Sequence, residues 1–170
     1  MTKKPVYPVV TLKTGREDSL RRGHPWLFSG ALARIPEGLG PGEVVTVASA
    51  SGDALALGFY NPQTDIAIRI LTRDGQAVID AAFWRERLQA ALALRRRVVQ
   101  ADTTGYRLVN AEGDGAPGLV VDRYDRWLVL SFATAGMDRF REDWVRILVE
   151  AFAPDGMYER SEGAARRREG

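Results

Sequence analysis

The chain has no cysteine, a single histidine and no long apolar run in its 170 residues. Without cysteine there is no disulfide, no thiolate zinc site and no thiol nucleophile. With His24 alone a histidine-rich metal site is out of reach, and any histidine-based triad has to run through that one residue. No stretch approaches the roughly 20 apolar residues of a membrane span. The start, MTKKP, lacks the apolar stretch of a secretory signal behind it. The expected compartment is therefore the reducing cytoplasm, with no membrane partner. Few enzyme mechanisms survive this inventory.

What is present suffices for a folded core, since 45% of residues are hydrophobic. The length allows one domain or two small ones. Net charge is +2, but its distribution is uneven. Residues 1–75 hold nine Lys/Arg against seven Asp/Glu, whereas residues 76–170 hold fifteen of each. A basic excess confined to the first half permits nucleic-acid binding without requiring it.

The two halves also differ in pattern. The first 75 residues predict short strands over 9–12, 26–28, 44–49, 54–60 and 66–71, with a short helix over 16–22 stopped by Gly23. Glycine turns between such strands suggest a small barrel or sandwich. Residues 72–76, TRDGQ, read as a linker. Beyond them an Ala/Leu/Arg-rich helix begins after Asp80, a natural N-cap, with Trp84, Leu88, Ala91, Leu92 and Val99 at helical spacing. A strand over 106–110, a hairpin formed by 118–124 and 127–132, a helix over 137–152 and a strand over 156–160 complete the chain. The fold class is mixed α/β (α+β): a β barrel, then a unit of order helix, strand, hairpin, helix, strand.

Several constellations carry candidate chemistry. EGDGAPG (residues 112–118) contains G-x-G-x-x-G at Gly113, Gly115 and Gly118. A cofactor loop needs a helix after those glycines. LVVD follows instead, so a tight turn between strands is expected. Glu112, Asp114 and Asp122 offer an acid–base pair or metal oxygens, against the plainer reading of carboxylates bonded to local backbone. Arg95, Arg96 and Arg97 fit either a phosphate contact or the C-terminal end of a helix, where cations are favoured. Arg166 to Arg168 read as a solvated charge run.

The densest group is Lys13, Arg16, Arg21, Arg22, His24 and Trp26, joined by Tyr60 and Asn61 of GFYNP. Lysine and arginine neutralise phosphates, and rings stack on unpaired bases. These eight are the candidate RNA contacts, with Arg21, Arg22 and Lys13 on phosphate and His24 and Tyr60 as weaker base or sugar contacts. His24, between Gly23 and Pro25, suits turn architecture as well as RNA contact, and has no catalytic partner in sight.

RRGHPWLFSGALARI followed by GFYNPQTDIAIRIL resembles the N-terminal PUA domain of the bacterial large-subunit rRNA cytosine-C5 methyltransferase family. YRLVNAEGDGAPGLVVDRYDRWLVL and YERSEGAARRREG resemble its central domain. The resemblance runs from about Lys13 to Gly170. It implies a PUA-type RNA-binding barrel over 1–75, a central α+β domain over 76–160, and over 161–170 the start of a connection to a Rossmann-like S-adenosylmethionine domain that this chain lacks. It further implies structured large-subunit rRNA as partner, no DNA, and no catalytic, cofactor or metal residue within these residues. Asn110 and Ala111 stand where the family has histidine and glycine, and Glu162 where it often has aspartate. Apolar surface left bare on the central domain would invite a homodimer. The alternative is a pair of interaction or scaffold domains without RNA affinity.

Overall fold

The computed structural model describes residues 5–169. Residues 1–4, whose sequence argued against a secretory signal, and residue 170 lie outside the described residues. Two units are distinct: residues 1–78 with 168–170, and residues 79–167.

Unit 1 is a six-stranded sheet. Its strands are β1 (Val9–Leu12), β2 (Trp26–Leu27), β3 (Leu32–Arg34), β4 (Glu43–Ala48), β5 (Ala54–Tyr60) and β6 (Ile68–Thr72), with helix α1 (Glu17–Arg21) between β1 and β2. The strand order is β2-β6-β5-β4-β1-β3. The ladders are antiparallel except β1 with β4. Every strand sends side chains into one cluster: Val10 and Leu12, Leu27, Leu32, Val45 and Val47, Ala56 and Tyr60, Ile68 and Ile70. A flat sheet cannot bring six strands to one cluster, so this one curls into a half-barrel around it. Leu20 of α1 joins the same cluster and ties the short helix down.

The chain leaves α1 through a Schellman motif. His24 N donates to Ser19 O and Gly23 N to Leu20 O, both at 3.0 Å, closing the helix end. Gly23 has φ +98, a conformation costly for residues with a Cβ. Pro25 follows, cannot continue the helix, and delivers the chain to β2, with Ile70 N donating to Pro25 O at 2.8 Å.

Unit 2 contains α2 (Ala81–Val98), β7 (Gly105–Asn110), β8 (Leu119–Tyr124), β9 (Trp127–Phe132), α3 (Ala135–Asp138), α4 (Arg141–Phe152), β10 (Gly156–Glu159) and α5 (Ala164–Arg168). The sheet order is β10-β9-β8-β7, with β10 parallel to β9 and the other pairs antiparallel. Asp80 caps α2, its Oδ1 accepting from Phe83 N at 3.0 Å. The inward residues Leu119, Val121, Leu128, Leu130 and Phe132 alternate with outward ones along the hairpin. Helices α2 and α4 pack through rings, with Trp84 5.6 Å from Trp144 and 5.2 Å from Phe140.

The architecture is thus mixed α/β, and it departs from the sequence expectations locally. The single helix expected over 137–152 is two helices. Thr134 starts a first turn, its Oγ1 accepting from Met137 N at 3.3 Å, and Phe140 leaves helical geometry where its ring meets Trp84. Strand β3 was not anticipated. The run at 166–168 is not merely solvated, because Arg166 pairs with Asp138 at 3.1 Å.

Candidate nucleic-acid interface

The sequence candidates divide into two groups. Lys13, Arg16, Arg21, Arg22 and His24 are exposed and Trp26 is half-buried, all on one continuous segment of unit 1. Lys13 Nζ donates to Gly30 O at 2.9 Å, and Lys13 N donates to Ala31 O at 2.9 Å. The end of β1 is thereby pinned beside the turn over Ser29–Ala31. Arg16 sits at the entry of α1 and Arg21 in its last turn, where a cation meets the negative end of the helix. No ion pair ties Lys13, Arg16, Arg21 or Arg22 to a carboxylate among the described residues.

A nearby carboxylate, Asp53, is turned elsewhere. Its Oδ2 accepts from Ser51 Oγ at 2.7 Å and Ser49 Oγ at 3.2 Å. Those hydroxyls hold it below the usual carboxylate range, with a smaller contribution from the charge of Arg21.

His24 is part of the turn. Its Nδ1 lies 3.2 Å from Trp26 N and 3.0 Å from Trp26 O, so the ring fastens the start of β2. Its centroid is 6.0 Å from the Trp26 ring and 6.4 Å from Phe28. Arg69 lies over Trp26 at 5.7 Å. Around these rings is an open hollow of about 270 Å³, lined by Arg16, Ser19, Trp26, Leu27, Phe28 and Gly30 among others. Phe28 is 50% exposed at its edge. Alternation around Leu27, which is 1% exposed, was the signal for turning its neighbour outward.

Tyr60 and Asn61 are corrections, because neither is available to RNA. Tyr60 belongs to the unit 1 core at 5% exposure, since β5 is buried continuously from Ala56 to its end. Asn61 is equally buried, and its Nδ2 donates to Glu169 O and Oε2, both at 2.9 Å. Glu169 also takes Arg69 at 3.1 Å. The amide is thus occupied in holding the end of the chain against unit 1.

The glycine loop of unit 2 is a connection between β7 and β8. Gly115 and Gly118 take positive φ, and Gly118 lies so close to Thr134 that an added Cβ would fall 2.3 Å from its Oγ1. A strand, not a helix, follows it, so the loop lacks the strand–glycines–helix order of a dinucleotide-binding turn, and Thr134, the N-cap of α3, already packs against Gly118 with its Oγ1 donating to Pro117 O at 3.0 Å. Ala111, where the resembled family has glycine, takes φ +44.

Asp114 is not half of an acid–base pair. Both its oxygens meet Arg95 at 2.7 Å, and Oδ2 also accepts from Asn110 N at 2.6 Å. Arg95 Nε donates to Arg107 O at 2.9 Å, so this pair locks the loop to α2. Asp122 is paired with Arg107 at 2.8 Å. Among the described residues no cluster of three or more His, Asp or Glu could hold a metal, and no helix is long and apolar enough to cross a membrane.

Against known proteins, residues 10–73 match the PUA-like domain family. The chain is 44% identical over 164 residues to ribosomal RNA large subunit methyltransferase I of Photobacterium profundum, which covers 95% of this chain and 41% of that protein. It is 37% identical over 166 residues to the protein of that name from Klebsiella pneumoniae, covering 97% and 42% respectively. A solved structure from Streptococcus mutans, described as a SAM-dependent methyltransferase, superposes with a TM-score of 0.78 at 20% identity, over 91% of this chain and 40% of that one. This structural likeness speaks to the fold alone. The chain is thus similar over residues 10–73 to the PUA-like domain family and along nearly its whole length to ribosomal RNA large subunit methyltransferase I proteins, spanning about 41% of the length of the Photobacterium profundum protein.

Proposed function

We propose that these residues form the RNA-holding part of a large-subunit rRNA methyltransferase acting at cytosine C5. The observation that carries this reading is a coincidence of place. The PUA-like stretch holds four exposed cations without an ion pair among the described residues: Arg16 lines an open hollow edged by Trp26 and Phe28, Lys13 bonds Gly30 O on its lining, and Arg21 and Arg22 follow on the same short segment. Lys13, Arg16, Arg21 and Arg22 neutralise backbone phosphates. Phe28 and Trp26 offer ring faces to one unpaired base, and His24 keeps the turn that presents them.

Methylation at C5 requires a nucleophile that adds to C6, ordinarily a thiolate, together with S-adenosylmethionine as donor. These 170 residues contain no cysteine, so their part in such a reaction is binding and positioning of RNA. The central α+β unit, residues 76–160, links that grip to the chemistry. The cytoplasm, where ribosomal RNA is modified, is the matching compartment.

The test is an anisotropy titration of fluorescent large-subunit rRNA fragments. Replacing Arg21 and Arg22 together by glutamate is expected to lower affinity at least tenfold, by removing two phosphate contacts and adding two repulsions. An unchanged isotherm would overturn the reading in favour of a scaffold without RNA affinity.

A further inference from the structure

Unit 2 holds a second hollow, of about 430 Å³, beside the C-terminal end of α2. Its lining includes Arg96, Gln100, Thr103, Thr104 and Arg123. Arg123 is half-buried on β8. Its guanidinium lies 5.5 Å from the Phe152 ring and 5.9 Å from that of Tyr106. Nε donates to Asp125 O at 2.8 Å, and Nη1 meets the Tyr106 hydroxyl at 3.4 Å. No carboxylate pairs with it among the described residues.

That sets Arg123 apart from Arg95, which lines the same hollow but is fully engaged with Asp114. A guanidinium partly withdrawn from water without a counter-charge is costly, and an anion relieves that cost. Arg96 is exposed at the same hollow and has no ion pair among the described residues. Thr103 and Thr104 add hydroxyls without a protein partner among the described residues, and Gln100 adds an amide. Asp125 is the lone carboxylate of the lining, and its charge acts on Arg126 outside it. The carbonyl end of α2 works against an anion here, and the arginines of its last turn, Arg95 to Arg97, offset it.

We propose that this hollow binds a phosphate group through Arg123 and Arg96, with Thr103 and Thr104 completing the donor set. The source is either an RNA backbone or a free nucleotide, and both present the same oxygens to the same donors. The site stands independently of the unit 1 surface.

The experiment is an amide NMR titration of the full chain with inorganic phosphate, against sodium chloride at matched ionic strength. Thr103 and Thr104 signals are expected to shift saturably with phosphate and not with chloride. Arg96→Gln is expected to weaken binding about tenfold, as loss of a charge-assisted contact does. Arg85→Gln, which removes an exposed paired arginine, leaves it unchanged. Arg123→Gln should abolish it, and if that variant fails to fold, the exposed Arg96 decides alone. Adding nucleoside 5′-monophosphate or a short RNA then identifies the source: the stronger competitor for these signals is the natural one, and either result supports the site. The Arg21→Glu, Arg22→Glu double variant must bind phosphate here normally, even if the unit 1 reading fails. No saturable shift, wild-type binding by Arg96→Gln, or loss in the unit 1 variant overturns the proposal.

Discussion

The arginines of the two units stand in different company. In unit 2 many are tied down: Arg85 to Glu150, Arg95 to Asp114, Arg107 to Asp122, Arg126 to Asp155, Arg141 to Asp138 and Glu159, Arg146 to Asp143 and Arg166 to Asp138, while Arg96 and Arg123 at the phosphate hollow are the exceptions that matter. In unit 1, Arg69 pairs with Glu169, while Lys13, Arg16, Arg21 and Arg22 hold no ion pair among the described residues. A surface ion pair contributes little to stability, but it satisfies the cation locally and leaves less for a partner. An exposed cation without a carboxylate partner keeps its charge available for phosphate, even where, as at Lys13, it also bonds a backbone carbonyl. Total charge hides this difference, because it counts both kinds alike.

The comparison is broken most severely on the unit 2 side. Asp114→Ala leaves Arg95, whose side chain is 11% exposed, without its counter-charge and Asn110 N without an acceptor. Urea unfolding should show a loss of about 3–5 kcal/mol, the usual cost of half a buried pair. Phe28→Ala tests the other side. RNA affinity should fall by about 1–3 kcal/mol through lost stacking, while unfolding moves by less than about 0.5 kcal/mol because the ring is half exposed. A stability loss without an affinity loss would place Phe28 in packing.

The smallest expected effect concerns Asp53, the carboxylate near the unpaired arginines. Its folded pKa is depressed, chiefly by the Ser51 and Ser49 hydroxyls. A depressed carboxylate contributes stability that is present above its unfolded value of 3.8 and is lost as pH falls through the folded value. Asp53→Asn should therefore lower stability slightly at neutral pH and match the parent in strong acid. Carbon NMR titration should place the Asp53 midpoint below 3.8. A midpoint at or above that value would mean the serines do not hold it in solution.

Legibility in the sequence followed the range of the contacts involved. Helix α2 was readable because its cap, Asp80, and its buried Trp84, Leu88 and Ala91 lie within one local pattern. The β8–β9 hairpin was readable from alternation around Asp125 and Arg126. Strand β3 was not, since three residues with one buried leucine carry no period. The break at Phe140 was hidden because the apolar spacing continues across it, and only the Trp84 ring from α2 reveals the interruption. Tyr60 and Asn61 looked like surface contacts beside a turn. Their burial depends on the curled sheet and on Glu169, 108 residues from Asn61, which no local pattern reports. The exposed segment from Lys13 to Phe28 was readable in composition, while the absence of ion pairs there needed the structure.

The most direct measurement of the central claim compares two neutralised variants of equal charge. Arg21→Gln with Arg22→Gln removes two unpaired cations from unit 1, and Arg85→Gln with Arg146→Gln removes two paired ones from unit 2. RNA affinity is measured for both and for the parent across a salt series. The first variant should flatten the slope of log affinity against log salt by about 1–2, one phosphate contact for each arginine, and the second should retain the parent slope. Equal slopes in the two variants would contradict the account and make total charge, rather than unpaired position, the determinant of RNA binding.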